Sequence, residues 1–194
     1  MSEIVIIKYN AGNIGSVANA LERQGAKYEV SNDPARIMKA DKVIFPGVGE
    51  AGSTMRYLER TGLNELIREL TQPVLGICLG MQLMCSFSEE GATSGLGIFA
   101  EKVKLFRGPE KVPHTGWNSV DKADDLLFAG LPDRPWFYFI HSYYAEPGDS
   151  TLSCCQHGVS FAACLKKDNF YAVQFHPEKS GETGARLLKN FINL

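Results

Sequence analysis

The stretch PVLGICLGMQ, residues 73–82, decides the fold of this chain. Its apolar letters VLGI are typical of a strand that is covered on both faces, and a helix is predicted to follow. Gly76 and Gly80 flank Cys78 at two residues on each side. This is the G-x-nucleophile-x-G pattern of a nucleophile elbow, with Cys in the place of Ser. The stretch therefore predicts a buried strand, a sharp turn that carries the sulfur, and the start of a helix.

The two glycines have a physical reason in such a turn. The turn holds the nucleophile in a strained backbone conformation, and the strand and helix pass so closely that only hydrogen fits at the flanking positions. The helix is expected to begin at Leu79, so that the positive end of its dipole lies beside the sulfur and favours the thiolate. The simpler alternative for Cys78 is a buried structural thiol.

Length and composition limit the possible functions. A chain of 194 residues predicts one domain over residues 1–194, and a net charge of −2 does not favour binding to nucleic acid or to a membrane surface. No apolar run approaches the length that spans a membrane. The odd number of five cysteines, without a C-x-x-C pair or an apolar leader, predicts reduced thiols in a cytoplasmic protein without structural zinc.

The first half of the chain alternates strands and helices. Strands are predicted at Ile4–Lys8, Tyr28–Ser31 and Lys42–Phe45, with a helix at Ser16–Gln24 after the first of them. This β-α-β-β order indicates a mostly parallel sheet, in which ligands bind beyond the carboxyl ends of the strands. The loop Tyr9–Gly15 lies at that edge, where it either faces a substrate or partner or is only a glycine-rich turn.

A glycine-rich segment follows the third predicted strand. Gly47, Gly49 and Gly52 match G-x-G-x-x-G, but the match does not follow the first strand. Position 70, where an acidic residue would bind a ribose, lies in an amphipathic helical stretch, so a dinucleotide site is rejected. We interpret the segment as a loop whose backbone N–H groups face a developing oxyanion. A tight strand-to-helix turn is the structural alternative.

From Gly95 onward the pattern changes to short strands with turns between them, which predicts an antiparallel extension of the same domain. The helix after Cys78 is expected to close at Glu89–Gly91. His114 and His141 show no metal-ligand spacing, so they are interpreted as structural histidines. The strands of the extension are predicted at Lys102–Phe106, Trp117–Val120, Trp136–Tyr144, Thr151–Gln156 and Val159–Leu165.

The end of the chain supplies a candidate base. A strand predicted at Phe170–Phe175 ends in His176, which would stand over the elbow, and Glu178 is placed to accept from the far imidazole nitrogen. Alone, this H-x-E pattern also fits a charged turn before the last predicted helix, Gly184–Ile192. Together with the elbow, it predicts a Cys-His-Glu triad.

With these motifs the chain resembles the class I (triad) glutamine amidotransferases. The resemblance covers nearly the whole chain and rests on PGVG at 46–49, GICLGMQ at 76–82 and HPE at 176–178. Within this family it is most similar to the glutaminase subunits of imidazole glycerol phosphate synthase, through GNIGS, PHTGWN, FIHSYY and HPEKSG. The expected fold class is α/β, with a mostly parallel central sheet, helices on both faces, the elbow and the antiparallel extension.

The resemblance implies a mechanism through a γ-glutamyl thioester on Cys78. His176 would protonate the departing ammonia and then activate water, while Glu178 orients the imidazole. Backbone donors would hold the oxyanion, and Val48, a β-branched residue, would resist the turn of the peptide that this requires. The residues implied in oxyanion stabilisation or glutamine binding are Gly47, Val48, Gly49, Leu79, Gln82, Glu90, Ser142 and Tyr143.

The resemblance also implies a partner. Ammonia would pass to a separate (β/α)8-barrel synthase subunit in histidine biosynthesis, where it is used to make imidazole glycerol phosphate and an aminoimidazole-carboxamide ribotide. No cofactor and no metal are implied. The family positions at the interface are Asn10, Asn13, Trp117 and Lys179.

Three alternatives remain open at this point. One is the glutaminase subunit of pyridoxal phosphate synthase, whose usual loop and elbow fit PGVGE and GICLG less well. Another is a γ-glutamyl hydrolase or cysteine peptidase of related fold, which would need no partner. The third is a binding module in which Cys78 is inert.

Overall fold

The structure is a computed structural model that describes residues 3–9 and 13–194. Its helices are α1 (Ile14–Arg23), α2 (Pro34–Lys39), α3 (Ala51–Thr61), α4 (Leu63–Glu69), α5 (Leu79–Met84) and α6 (Gly181–Asn193). Its first six strands are β1 (Glu3–Ile7), β2 (Lys27–Ser31), β3 (Lys42–Gly47), β4 (Val74–Cys78), β5 (Phe87–Ser88) and β6 (Thr93–Ser94). The other strands are β7 (Lys102–Leu105), β8 (His114–Ser119), β9 (Trp136–His141), β10 (Tyr143–Ala145), β11 (Thr151–His157), β12 (Val159–Lys167) and β13 (Phe170–Val173).

A seven-stranded sheet forms the centre of the molecule, in the order β11-β12-β13-β4-β3-β1-β2. The strands from β13 to β2 are parallel, while β11 and β12 add an antiparallel edge. The predicted α/β fold with a mostly parallel sheet is therefore confirmed. Strand β4 lies between β3 and β13, so the carboxyl end that carries Cys78 has a neighbouring strand on each side.

Helices cover both faces of this sheet, as expected. Because successive side chains of a strand point to opposite faces, Ile4 and Ile6 pack with α1 and α6, whereas Val5 and Ile7 pack with α2 to α5. The two apolar layers bury both faces of the central strands. This explains why those strands read as continuous apolar runs. In the part of the chain that the structure describes, no helix is both long enough and apolar enough to cross a membrane.

The first half contains a helix that the sequence analysis missed. The order is β-α-β-α-β, because α2 connects β2 to β3. It is only six residues long, it buries Ile37 alone, and it begins with Asp33 as its cap and Pro34 in its first turn. A six-residue helix gives too few turns for an apolar periodicity, which explains the miss. A parallel pair of strands nevertheless requires a crossover of this kind.

The second half departs from the predicted antiparallel extension in two ways. Strands β11 and β12 belong to the central sheet, and the others form a four-stranded sheet, β10-β7-β5-β6, and a two-stranded sheet, β8-β9. The pair β5–β7 is parallel. The predicted single strand Trp136–Tyr144 is also wrong, because it breaks at Ser142 into β9 and β10, which belong to different sheets.

The expected end of the helix after Cys78 is wrong as well. Helix α5 ends at Met84, and the chain enters the short strand β5 before Glu90–Ala92 form a single 3-10 turn. The carbonyls near the end of α5 are taken by the next segment, since Leu96 N–H donates to Leu83 O at 2.7 Å and Phe99 N–H to Met84 O at 3.0 Å. This early end brings Glu90 back toward the amino end of α3.

Candidate active site

Cys78 occupies the strained turn that the sequence predicts. Its φ of 53° and ψ of −109° lie outside the regions that L-residues normally adopt. It is the last residue of β4, and α5 starts at the next residue, Leu79. Strain of this kind persists only where the surrounding packing enforces it.

Gly76 and Gly80 supply that enforcement by allowing close backbone approach. A Cβ on Gly80 would lie 2.0 Å from the carbonyl oxygen of Phe45 in β3, and a Cβ on Gly76 would lie 3.1 Å from the amide nitrogen of Met81 in α5. The expectation that only hydrogen fits at these positions is confirmed for Gly80. The closest neighbour of Gly80, a residue of α5, is therefore strand β3 and not strand β4, which leads into the helix.

His176 and Glu178 form a buried pair at the carboxyl end of β13. The His176 Nδ1–H donates to Glu178 Oε1 at 2.7 Å, and neither side chain has any exposed surface. The opposite nitrogen, Nε2, has no hydrogen-bond partner among the described residues. The pair therefore has the arrangement of an oriented acid–base group, with one imidazole nitrogen held by a carboxylate and the other free for chemistry.

Two neighbouring side chains determine the protonation of His176. Burial alone disfavours the imidazolium, but the neighbouring Cys78 and Glu178 outweigh burial and raise the pKa of His176 to about 10. A histidine with this pKa holds its proton at neutral pH. It can therefore act as a proton donor when a substrate first reaches the site.

Asn13 also contacts the pair. Its Nδ2 donates to Glu178 Oε1 and lies 3.5 Å from His176 Nδ1. Asn13 precedes α1 in the left-handed conformation, with φ 74°, and its side chain does not cap that helix. Its amide therefore serves the His–Glu pair instead of the helix end.

Cys78 faces a cavity of about 340 Å³ at the carboxyl ends of β3 and β4. Seven of the eight residues predicted for oxyanion stabilisation or glutamine binding line it, whereas Gly47 pairs with Cys78 in the sheet. Pro113, Ile140 and His141 complete the wall. The seven lining residues are Val48, Gly49, Leu79, Gln82, Glu90, Ser142 and Tyr143.

One side of this cavity carries negative charge. Glu90 Oε2 accepts from Ala51 N–H at 2.8 Å, while Glu50 accepts from Gly52 and Ser53 at the start of α3. Burial and the nearby charge of Glu50 raise the pKa of Glu90, although the Ala51 amide opposes the shift. A positively charged ligand group beside Glu90 would relieve this repulsion.

The sequence analysis missed Gln174. Its side chain is fully buried, its Nε2 lies 3.7 Å from Cys78 Sγ, and its Oε1 accepts from Gln82 Nε2 at 2.9 Å. Gln82 is one of the residues that the resemblance implies in oxyanion stabilisation or glutamine binding, and this contact places its side chain close to the nucleophile. The available signal was an amide two residues before His176 in an otherwise apolar strand segment, FYAVQF.

His114 and His141 are structural, as interpreted from the sequence. They lie opposite each other on β8 and β9, and their rings are joined by a hydrogen bond of 3.0 Å from Nδ1 of His114 to Nε2 of His141. Burial is the main reason that the pKa of His114 falls to about 4 and that of His141 to about 3. Both rings are therefore neutral at physiological pH.

The positions predicted to face a partner come together in one region, as far as the structure describes them. Asn10 lies outside the described residues. Asn13 touches Glu178, Lys179 is the next residue and is exposed, and Trp117 has 53% of its surface exposed. The Trp117 ring reaches the 177–181 segment, within 3.9 Å of where Gly181 would carry a Cβ.

Comparison with known proteins shows the family of this chain. The model of the family described as glutamine amidotransferase class-I matches residues 5–194. Imidazole glycerol phosphate synthase subunit HisH of Bacteroides thetaiotaomicron is 52% identical over 99% of this chain and 100% of its own length. The HisH 1 subunit of Methanococcus maripaludis is 44% identical over 98% of this chain and 99% of its own length.

Solved structures show the same fold at lower identity. A glutamine amidotransferase of Thermotoga maritima superposes with a TM-score of 0.64, at 17% identity, over 99% of this chain and 83% of that one. The PurLQS structure of the same organism gives 0.72 at 15% identity, over 100% of this chain and 99% of that one. From its motifs, its fold and the match over nearly its full length, this chain belongs to the class-I glutamine amidotransferase family.

Proposed function

We propose that this chain is the glutaminase subunit of an imidazole glycerol phosphate synthase and acts in histidine biosynthesis. The observation that carries the proposal is Cys78, held in a strained elbow at a cavity, with the buried His176–Glu178 pair at the end of the adjacent strand. The full-length relatives named HisH support this subfamily over pyridoxal phosphate synthesis.

The reaction begins with attack of the Cys78 sulfur on the side-chain amide carbon of glutamine. The tetrahedral intermediate collapses when the carbon–nitrogen bond breaks, and the amide nitrogen takes a proton from His176 and leaves as ammonia. Water then gives a proton to His176 and attacks the γ-glutamyl thioester, which releases glutamate and restores the sulfur. Glu178 orients the imidazole for both proton transfers.

The cavity supplies the contacts that glutamine needs. Glu90 would bind the α-ammonium group, whose positive charge offsets the repulsion between Glu90 and Glu50. Gln82, Ser142 and Tyr143 would hold the side chain of glutamine toward Cys78. Backbone N–H groups of the segment 47–49 and of Leu79 would stabilise the oxyanion.

A synthase subunit is the expected destination of the ammonia, and we propose that it is a (β/α)8 barrel. Asn10, Asn13, Trp117 and Lys179 form the proposed contact. The side chain of Asn13 donates a hydrogen bond to the carboxylate of Glu178, and Lys179 directly follows Glu178 in the chain. A partner at this surface would therefore contact a residue next to the triad. We further propose that residues 1–194 form one amidotransferase domain, located in the cytoplasm.

The test is glutamate release from glutamine, measured first for the chain alone. It is then measured in the presence of the barrel subunit together with the nucleotide that this subunit uses as its substrate. We expect the complex to be at least about tenfold faster, because partner contact at Lys179 reaches the triad directly. Full activity of the chain alone would instead favour a free-standing hydrolase.

Two cysteine variants provide a matched control for this assay. Cys78→Ala should abolish glutamate release, whereas Cys154→Ala, which changes a partly exposed thiol of β11, should leave it unchanged. Activity that survives in Cys78→Ala, or no activity of the wild-type complex, would overturn the proposed function.

A further inference from the structure

The Gln174 side chain lies directly beside the nucleophile, in a position that the triad does not explain. It has no exposed surface, and its Nε2 is 3.7 Å from Cys78 Sγ, within the range of an N–H···S hydrogen bond. It follows β13 and precedes His176 by two residues, so one short segment after this strand carries both side chains.

The orientation of this amide follows from its neighbours. Gln82 Nε2 donates one hydrogen to the Tyr143 carbonyl at 2.9 Å and the other to Gln174 Oε1, also at 2.9 Å. A carbonyl oxygen can only accept, so the Gln82 NH2 group must be the donor. Gln174 therefore turns its oxygen toward Gln82 and its NH2 group toward the sulfur.

A chain of hydrogen bonds extends this constraint to β8. The Tyr143 carbonyl also accepts from His141 Nδ1–H at 2.7 Å, and His141 Nε2 accepts from His114 Nδ1–H at 3.0 Å. His114 Nε2 in turn accepts from Asn118 Nδ2 at 3.2 Å. Asn118 cannot flip without loss, because its Oδ1 accepts from Ser119 N–H at 2.8 Å.

We propose that Gln174 is a further catalytic residue, whose amide N–H donates a hydrogen bond to the Cys78 sulfur and stabilises the thiolate. Gln82 and the Tyr143 carbonyl are positioning groups that hold Gln174 in this orientation. The hydrogen bond is strong while the sulfur is an anion and weak once it is acylated. The proposal deepens the proposed glutaminase function and rests on it.

The experiment measures the rate of Cys78 alkylation by iodoacetamide against pH, with the modified residue identified by mass spectrometry. Gln174→Met keeps the volume and removes the donor. We expect the midpoint of its pH profile to rise by about one pH unit, and its rate at neutral pH to fall about tenfold. A profile that matches the wild type would overturn the proposal.

Gln72→Met is the matched control. Gln72 also donates an amide hydrogen bond, to the carbonyl of Ile37 at 2.8 Å, but it precedes the amino end of β4, at the opposite edge of the sheet. The same change of side chain should therefore leave the pH profile unaltered. An equal shift of the pH profile in both variants would show that the shift comes from general destabilisation, and it would overturn the proposed role of Gln174.

A measurement on the unmodified site removes the dependence on how Gln174→Met folds. In the ¹⁵N-labelled wild-type protein, the Gln174 side-chain amide resonance should titrate with the same midpoint as alkylation. This titration should disappear in Cys78→Ala. An amide resonance that does not respond to pH would overturn the proposal.

These readouts need neither glutamine nor a partner, so the two proposals fail separately. A shifted alkylation profile in a chain that releases no glutamate would retain the Gln174 contact and reject the proposed function. Normal glutamate release together with an unshifted alkylation profile would retain the proposed function and reject the role of Gln174.

Discussion

The catalytic cavity has two sides that are built on different physical principles. On one side, the elbow of residues 74–84 is held by backbone contacts, and Gly80 lies against the carbonyl of Phe45. On the other side, the wall formed by residues 113–118 and 140–144 is held by hydrogen bonds between neutral histidines and a backbone carbonyl. The stability of the elbow should therefore decrease when a side chain is enlarged, and that of the wall should decrease when its histidines become protonated.

The largest effect is expected for Gly80→Ala. The added methyl group would lie 2.0 Å from the Phe45 oxygen, so β3 and α5 would have to separate. We expect a loss of about 3 kcal/mol or more in the free energy of unfolding, since backbone atoms relax less readily than side chains. Urea denaturation at neutral pH measures this loss. A change below about 1 kcal/mol would contradict a sterically enforced elbow.

A smaller effect, confined to acid conditions, is expected for the wall. The pKa of His114 falls to about 4 and that of His141 to about 3, against about 6.5 in an unfolded chain. Well above pH 6.5 the two histidines are neutral in both the folded and the unfolded chain, so their burial does not make stability depend on pH. As the pH falls below 6.5, only the unfolded chain takes up these protons, so stability decreases until the folded pKa values are reached.

The measurement is the free energy of unfolding at pH 6.5 and at pH 5.5. At pH 6.5 the unfolded imidazoles are already half protonated, so each histidine loses about 1 kcal/mol over this pH unit and the total loss should be about 2 kcal/mol. His141→Asn, which keeps a donor near the Nδ1 position, should show about half of this pH dependence. Equal stability at the two pH values would contradict the neutral histidine wall.

The smallest effect is expected for Gly15→Ala, the same change as in the elbow but placed on α1. Among the residues that the structure describes, a Cβ at Gly15 would meet nothing within 4 Å, and the backbone there does not adopt a positive φ. Because glycine weakens a helix, this variant should gain about 0.5–1 kcal/mol in stability by urea denaturation. A loss similar to that of Gly80→Ala would show that the elbow is not special.

The same contrast explains what sequence analysis could reach. The elbow and the His176–Glu178 pair were predicted because each is encoded by a few consecutive residues with a local conformational cost. The break at Ser142 and the helix α2 were missed, since the first depends on two different sheets and the second is too short for a periodic signal. Gln174 was missed because its partners, Cys78 and Gln82, lie over 90 residues away in the chain.

The sequence by itself determined the alternation of strands and helices, the strained turn at Cys78 and the order of the catalytic motifs. These features depend on apolar periodicity and on glycines next to a nucleophile, which act over a few residues. Only the tertiary structure decided that Asn13 serves Glu178 and that Gln174 turns its amide toward the sulfur. It also decided that His114 and His141 remain neutral. The reason is physical, because hydrogen-bond direction and burial depend on which distant segments meet, and a linear pattern does not encode that meeting.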